Sequence, residues 1–551
     1  MVDLRNLNAL IIDPSSGMRS SIHNMLTSCG INKVDHAVSS GTAIRQVRNK
    51  KYDLILCEYD LSEGQDGQQL LEDLRNNKLI PLWTMYFILT AERSSQKVMS
   101  VAELAPTDYL LKPFTHDGML ERVGRAVEWR QHFMAVFKMI ESGDLDLAIK
   151  ACAAVDVENA RLAADFMRLQ AECAMTLGRA AEAELLYRKI LASRPVGWAT
   201  LGLARTVFAQ ERFEEVETTL MALIEESDKF LDAYDLLAKA RHAMGKFDEA
   251  KAILASAVKI SPHAVRRLRT LGKLALETGD ASTAESLLTQ VVGKSRYSEF
   301  RDAEDHVHLV TALVQQGDTK QASTMIRDLE KTFSGQKKTL VCKALLNGML
   351  NDANGDTELA ATNFATAVTL FGEAEGLSSD IKLTLAKNCL EHEMEGEAST
   401  ILLDIINNAK DGAASDRAMA VFAEAGHGEL ALKIAQESRQ MVVQLLSSGA
   451  EKAKAGDFPG AVTEMNKAAQ KMPENAQVIF NAAVAALKCL ENVAWNEVLG
   501  ANARWYIETA RRLDPANPRM ASLVALYTSI LKKYKIATAD VLPIKPARID
   551  I

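Results

Sequence analysis

The segment YDLILCE at residues 52–58 ends an apolar run with a carboxylate, and four similar apolar runs occur within the first 115 residues. All five runs have the composition of short buried strands, and they lie at residues 9–12, 34–38, 54–57, 86–89 and 109–111. Amphipathic patterns typical of helices occupy residues 17–28, 40–49, 66–77 and 94–104 and begin again at residue 117. This alternation predicts an α/β fold with a doubly wound, five-stranded parallel sheet and helices on both faces.

Polar residues stand directly after four of the predicted strands. They are Asp13 after the first, Glu58 after the third, Thr90 after the fourth and Lys112 after the fifth. In a doubly wound sheet the functional crevice lies at the carboxyl ends of the strands, where the strand order reverses. We therefore expect these four side chains to meet in one pocket.

Five stretches distributed over residues 6–128 carry a specific signal: ALIID (9–13), YDLILCE (52–58), DGQQLLEDLR (66–75), ILTAE (88–92) and DYLLKPF (108–114). Together they resemble the response-regulator receiver domain, a CheY-like module with a flavodoxin-like sheet. The pairing of an LTA segment with a YLLKPF segment at this spacing is specific to that family.

The resemblance implies roles for the pocket residues. In the family, acidic residues after strands 1 and 3 hold Mg²⁺, and the acid after strand 3, an Asp, accepts a phosphoryl group. A hydroxyl after strand 4 and a lysine after strand 5 contact that group. The resemblance therefore implies that Asp13 is the first acid, Thr90 the hydroxyl, Lys112 the cation and Tyr109 the aromatic switch residue.

Two positions depart from the family pattern. Pro14 stands where a second acid is expected, and Glu58 stands at the phosphoacceptor position, 45 residues after Asp13. Asp60 is the alternative acceptor, but choosing it would extend the strand and shorten the loop that follows. We favour Glu58, and the loop before Asp66 is then one residue longer than usual.

The Glu58 side chain is longer than Asp by one methylene, about 1.5 Å. Its carboxylate could pair permanently with Lys112 and Thr90, and an ångström of misplacement impairs in-line displacement. Mg²⁺ would have only Asp13 and Glu58 as carboxylate ligands, because Pro14 offers neither an acid nor an N–H. We expect a degenerate receiver that phosphorylation does not switch. The alternative is a pocket inherited with the fold that has no present role.

From about residue 128 to 533 the chain is rich in Ala and Leu and has helical periodicity. A turn Gly followed five residues later by Ala recurs at Gly143, Gly178, Gly245, Gly279, Gly317, Gly355 and Gly456. Two turns without this Gly are expected near residues 211–220 and 393–399. This region resembles the tetratricopeptide repeat, a helix–turn–helix unit, most clearly at residues 232–262 and 445–473. The resemblance implies a right-handed α-solenoid of about nine to ten repeats with a concave groove.

These patterns predict three segments: a receiver at residues 1–128, a solenoid at 129–533 and an extended tail at 534–551. The run from residue 115 to 144 contains no Pro and no flexible linker composition. We therefore expect the last receiver helix to continue almost directly into the first repeat helix. The groove residues that bind a partner cannot be selected from the pattern.

Composition and charge exclude several classes of protein. The formal net charge is −8 and no long basic run occurs, which argues against general nucleic-acid binding. Neither a signal peptide nor an apolar window of membrane-spanning length is present, and the seven Cys are scattered singly, as in a reducing compartment. The sequence also lacks common catalytic motifs. We expect a cytoplasmic protein that is not an enzyme.

Three functions fit this organisation. The favoured one is a bacterial two-component-type signalling adaptor whose groove binds a protein partner and whose receiver meets a histidine kinase or another signalling protein. The second is a phosphorylation-switched regulator of a phosphorelay, using Glu58 or Asp60. The third is a structural scaffold with the receiver as a cap or dimerisation unit. Homodimerisation is compatible with all three.

Overall fold

A computed structural model describes residues 4–546 except 62–65, 92–105, 157, 229, 263, 297–300, 375, 409–411, 516, 537–540 and 542. The chain divides into two compact units, Met1–Gln316 and Gly317–Ile551. The first contains the α/β segment and the first part of the helical array, and the second contains only helices and the tail among its described residues.

The first unit begins with a five-stranded parallel sheet of order β2-β1-β3-β4-β5. This confirms the predicted fold class. Four of the strands extend one residue beyond the predicted run at one or both ends, and β2 is shifted by one residue. The strands are β1 (Asn8–Ile12), β2 (Lys33–Ala37), β3 (Leu54–Glu58), β4 (Met85–Thr90) and β5 (Asp108–Leu111). The strand order reverses between β1 and β3, so the predicted crevice lies at their carboxyl ends.

Helices cover both faces of the sheet: α1 (Ser16–Ser28), α2 (Ser40–Asn49), α3 (Gly67–Asn76) and α4 (His116–Ser142). On one face, Leu10, Ile55 and Ile88 pack with residues of α2 and α3. On the other face, Ile11 and Leu56 pack with residues of α1 and α4. The helix predicted at residues 94–104 lies outside the described residues.

Helix α4 contributes to two hydrophobic cores. Its first half buries Met119, Val123 and Val127 against the sheet, and its second half buries Phe133 and Val136 in the core of the helical array. Thr115 caps its N-terminus, and its C-terminus ends at Gly143, which is left-handed with φ 81°. Residue 128, where we predicted the end of the receiver, therefore lies inside an unbroken helix.

Helices that each pack against the next one along the chain make up most of the rest of both units. Those of the first unit are α5 (Leu145–Ala153), α6 (Ala160–Thr176), α7 (Ala180–Ser193), α8 (Gly197–Phe208), α9 (Phe213–Glu226), α10 (Leu231–Ala243), α11 (Phe247–Ile260), α12 (Val265–Glu277), α13 (Ala281–Ser295) and α14 (Ala303–Gln315). Those of the second are α15 (Thr319–Thr332), α16 (Lys337–Ala353), α17 (Thr357–Phe371), α18 (Ser379–Glu391), α19 (Glu395–Asn408), α20 (Gly412–Glu424), α21 (Gly428–Lys454), α22 (Phe458–Lys471), α23 (Ala476–Asn492), α24 (Glu497–Leu513) and α25 (Met520–Tyr534).

The predicted repeat turns have the left-handed backbone conformation that favours Gly. All seven turn glycines are left-handed, with φ between 72° at Gly178 and 84° at Gly355 and Gly456. The Ala five residues after each of them is buried, so the helices approach closely there. The two expected turns without Gly contain Glu211 (φ 60°) and Glu393 (φ 58°), which adopt the same left-handed conformation.

The described tail residues pack on the last helices of the second unit. Arg504 of α24 donates to the Val541 carbonyl at 2.5 Å, and the Ile544 amide donates to the Ala501 carbonyl at 3.2 Å. All seven cysteines are free thiols; six are buried, whereas Cys29 is partly exposed. Among the described helices none is both long and apolar enough to cross a membrane.

Candidate functional site

The four polar residues predicted to meet do lie at the carboxyl edge of the sheet. Asp13 follows β1, Glu58 ends β3, Thr90 ends β4 and Lys112 follows β5. Asp13 is 2% exposed and Thr90 4% exposed, and the Lys112 amide donates to the Thr90 carbonyl at 2.7 Å. A cis peptide bond joins Lys112 to Pro113.

The Lys112 ammonium lies between two carboxylates. Its Nζ forms a direct hydrogen bond with Glu58 Oε2 and lies 3.4 Å from Asp13 Oδ2. The side chains of Lys112 and Glu58 are only 18% and 15% exposed, so water screens this ion pair weakly. The cation and both acids therefore form one charged cluster.

Both carboxylate oxygens of Glu58 are held. While Oε2 accepts from Lys112, Oε1 accepts from the Tyr59 amide at 2.9 Å and more distantly from the Asp60 amide at 3.4 Å. Asp60 is exposed and lies two residues beyond the end of β3. Glu58 is thus the last residue of β3, and the Asp60 amide helps to orient its carboxylate.

Arg19 of α1 binds the loop after β1 that contains Pro14. Its guanidinium donates to the carbonyls of Asp13 at 2.6 Å and Pro14 at 2.9 Å. Asp13 Oδ1 meanwhile accepts from the Ser15 amide at 2.8 Å. The sequence did not predict Arg19 as a site residue, because its distance from this loop depends on the orientation of α1 relative to the sheet.

Among the described residues, the donor set at this edge does not fit Mg²⁺. The cation would need several hard oxygen ligands, but the two carboxylates described there, Asp13 and Glu58, both contact the Lys112 ammonium. Arg19 places a second positive charge at the same loop. Across the described residues no cluster of three or more His, Cys, Asp or Glu side chains could hold a metal ion.

Tyr109, the predicted switch residue, points toward α3. Its hydroxyl donates to Gln68 Oε1 at 3.3 Å, and burial raises the pKa of Tyr109 to about 12. The tyrosine therefore remains a neutral hydrogen-bond donor at physiological pH. Gln68 was not predicted as a site residue; the signal that could have found it is the helix start DGQQ, where Asp66 caps the Gln69 amide at 2.8 Å.

The first residue of α3 packs directly on the end of β3. A Cβ at Gly67 would lie 2.5 Å from the Glu58 carbonyl oxygen and 3.1 Å from Cys57 Sγ. The Gly67 amide donates to the Tyr59 carbonyl at 2.7 Å, and the Tyr86 hydroxyl donates to the Gly67 carbonyl at 2.9 Å. The backbone at Glu58 and the start of α3 are therefore tightly coupled in position.

Comparison with known families matches both parts of the chain. Residues 9–124 match the response regulator receiver domain, and residues 140–197 and 241–303 each match the tetratricopeptide repeat. These matches confirm the two resemblances seen in the sequence.

Among characterised proteins, the chain is similar to the chemotaxis protein CheY-3 of Vibrio cholerae serotype O1, with 26% identity over 127 residues. That alignment covers 22% of this chain and 94% of CheY-3. The transcriptional regulatory protein ZraR of Salmonella typhimurium is 30% identical over 122 residues, which are 22% of this chain and 26% of ZraR.

Among solved structures, a tetratricopeptide repeat protein from Parabacteroides merdae aligns with 15% identity and a TM-score of 0.32. The alignment covers 47% of this chain and 97% of that protein.

Proposed function

We propose that this chain, a response-regulator receiver domain fused to tetratricopeptide repeats, is a bacterial two-component-type signalling adaptor whose receiver is held in one state by Glu58. In this proposal the receiver is a degenerate one that ordinary phosphorylation does not switch. The repeats serve as a protein-interaction array.

The observation that supports this proposal is the ion pair between Glu58 and Lys112. In a working receiver the lysine neutralises the phosphoryl group, so a carboxylate already bonded to Lys112 occupies the place of that group's oxygens. Charge-assisted hydrogen bonds of this kind stabilise a structure by about 1.5–3 kcal/mol. The held Glu58 carboxylate therefore favours one arrangement of the pocket without phosphate.

We assign the receiver to residues 1–128, the solenoid to 129–533 and the tail to 534–551. The receiver ends within α4, so receiver and repeats share one helix in place of a flexible linker. A helix of 27 residues spans about 40 Å at 1.5 Å per residue. This continuity supports a receiver whose orientation is transmitted to the first repeats.

The partner of the repeats is, in this proposal, a protein that offers an extended segment or a helix. The receiver meets a histidine kinase or another signalling protein. We assign the protein no catalytic reaction, and we place it in the cytoplasm because its composition fits a soluble protein with reduced thiols.

The test is intact-mass analysis of the full chain after incubation with Mg²⁺ and acetyl phosphate, in parallel with Glu58→Asp. Glu58→Gln is the control, because its amide cannot accept a phosphoryl group. We expect no phosphoryl adduct on the unmodified chain or on Glu58→Gln. An adduct on Glu58→Asp alone would mean that Glu58 is what blocks acceptance.

A phosphoryl adduct on the unmodified chain would contradict the proposal. Peptide mapping of such an adduct would then distinguish Glu58 from Asp60. Either location would restore the second hypothesis, a regulator that is switched by phosphorylation within a phosphorelay.

A further inference from the structure

The chain turns back after α25, and the described residues of the tail then lie against α24. Lys535, the residue that follows α25, is left-handed with φ 57°. Its amide donates to the Lys532 carbonyl at 3.1 Å, and the Ile536 amide donates to the Leu531 carbonyl at 3.0 Å. These hydrogen bonds close the last turn of α25. The reversal brings Val541 to α24, the helix that precedes α25 in the chain.

The tail binds α24 through its backbone and the apolar core through one side chain. The Val541 carbonyl accepts from the Arg504 guanidinium at 2.5 Å, and the Ile544 amide donates to the Ala501 carbonyl at 3.2 Å. Ala501 and Arg504 are three residues apart and so lie on one face of α24. The Val541 side chain is 7% exposed and belongs to the core that includes Tyr527 of α25. This geometry fixes a short irregular segment on a helix.

Two buried polar atoms of these helices have no hydrogen-bond partner among the described residues. They are Oδ1 of Asn502, a residue 8% exposed, and the hydroxyl of Tyr527, a residue 5% exposed. Asn502 follows Ala501 in α24, and Tyr527 shares the core of Val541. Because buried polar groups are nearly always hydrogen-bonded, these atoms indicate a surface that can bind further backbone groups of a polypeptide.

Helix α25 is fixed to α23 by contacts that do not involve the tail. The Tyr534 hydroxyl donates to the Leu490 carbonyl at 3.2 Å, and Lys533 donates to the Glu491 carbonyl at 2.7 Å. The Tyr534 ring also packs on Trp495, with ring centroids 5.9 Å apart. The tail can therefore leave α24 while α25 stays in place, as expected of a segment with little buried apolar surface.

We propose that the tail is an internal ligand of α24, and that an extended segment of a partner protein binds the same surface when the tail is released. The chemistry of that segment is given by VLPIKP at residues 541–546, in which aliphatic side chains alternate with prolines. Proline disfavours helix formation and keeps such a segment extended. The existence of a partner rests on the proposed function, whereas the binding of the tail does not.

The test is fluorescence anisotropy with a labelled synthetic peptide that has the sequence of residues 535–551. The peptide is titrated with the full chain, both as wild type and as Val541→Asp, whose carboxylate is costly to bury in the apolar core. The matched control is Val443→Asp, which makes the same change on α21 at a residue that is 62% exposed. Circular dichroism reports whether each variant keeps its helices.

We expect Val541→Asp to bind the peptide about tenfold more tightly than the wild type, or better. In the wild type the tail competes from within the same chain, at an effective concentration of about a millimolar. Val443→Asp should bind as weakly as the wild type. Equal affinities of wild type and Val541→Asp, or no saturable binding to Val541→Asp, would overturn the proposal.

The position of the peptide is tested by adding Arg504→Ala to Val541→Asp. Loss of the guanidinium that donates to the Val541 carbonyl should weaken peptide binding by about tenfold or more, as for other hydrogen bonds from charged groups. Arg512→Ala in the same background is the control, because Arg512 is an exposed residue of the same helix. Equal affinities of the two arginine variants would overturn the assignment to α24.

Sedimentation equilibrium distinguishes binding within one chain from the exchange of tails between two copies. A wild-type dimer that dissociates on Val541→Asp would overturn the internal ligand and assign the surface to a second copy of this chain. A phosphoryl adduct on the unmodified chain in the mass experiment would overturn the held receiver but would leave the peptide result as it stands.

Discussion

The ion pair between Glu58 and Lys112 bridges the carboxyl end of β4, because β4 lies between β3 and β5 in the sheet. Three strands thus meet at one charged contact, with Asp13 adjoining from β1. The two acids of the pocket therefore share one cation, Lys112. This arrangement makes Lys112 a structural cation of the pocket.

Replacing Lys112 with Met should destabilise the receiver, because Glu58 and Asp13 would then be two poorly solvated carboxylates without their cation. We expect a loss of about 1.5–3 kcal/mol, the range for hydrogen bonds to charged groups. Hydrogen exchange of the β3 and β4 peptides measures this free energy of opening. The matched control is Lys50→Met, since Lys50 pairs with Asp35 in a contact where both side chains are about 40% exposed and should lose less than about 1 kcal/mol. Equal losses in the two variants would refute a structural role for Lys112.

A methyl group at Gly67 should disturb both the pocket and α3. The Cβ of Gly67→Ala would meet the Glu58 carbonyl oxygen at 2.5 Å, and neither backbone can move without shifting its element. We expect destabilisation of about 1–3 kcal/mol, as for other overpacked sites. Gly124→Ala is the control, because nothing lies within 4 Å of its Cβ position and Ala is favoured over Gly in a helix by about 1 kcal/mol. Thermal unfolding should show a lower unfolding temperature for Gly67→Ala and a higher one for Gly124→Ala. An unchanged unfolding temperature for Gly67→Ala would be incompatible with this contact.

The sequence predicted the parts of this site that depend on local position. Asp13, Glu58, Thr90 and Lys112 each follow an apolar strand, so the parallel sheet alone brings them to one edge. Arg19 was not predictable in this way, because its contact with the Pro14 carbonyl depends on the path of a loop.

Contacts between distant segments were also beyond the sequence pattern. Arg130 of α4 and Asp53 are 77 residues apart in the chain and form an ion pair at 3.0 Å. Helical periodicity identifies only the apolar face of α4, so no local signal records which acid this arginine contacts. The repeat turns, by contrast, were predicted from Gly and Ala spacing, including those that contain Glu211 and Glu393.

The stability of the folded chain should fall as pH rises through neutrality, because of Glu72. Glu72 has a pKa of about 7 in the folded chain against an ordinary value of 4.5. A carboxyl whose pKa is raised by folding contributes stability that is fully present below about pH 4.5 and is lost as pH rises through about 7. The charged and polar groups facing it are Arg267, Asp232, Asp66 and Gln68.

Urea unfolding of the wild type and of Glu72→Gln from pH 5 to 8 checks this dependence. The wild type should lose stability relative to Glu72→Gln as pH rises, because the amide carries no charge to be desolvated. Glu121→Gln is the control, since it makes the same change of side chain at a position that is 71% exposed. A constant difference between wild type and Glu72→Gln over this range would contradict a raised pKa of Glu72 in the folded chain.

Replacing Glu211 with Gly should stabilise the turn that contains it. Glu211 is left-handed with φ 60°, a conformation that costs a residue with a Cβ about 1–2 kcal/mol. Glu211→Gly should therefore stabilise the first unit, by about 0.5–1 kcal/mol after the greater entropy of Gly in the unfolded chain is subtracted. The reciprocal variant is Gly245→Ala, in which φ is 74° and nothing lies within 4 Å of the added Cβ, so any loss comes from backbone strain alone. The unfolding temperature should rise for Glu211→Gly and fall for Gly245→Ala. A lower unfolding temperature for Glu211→Gly would mean that the Glu side chain stabilises the fold by more than its left-handed backbone destabilises it.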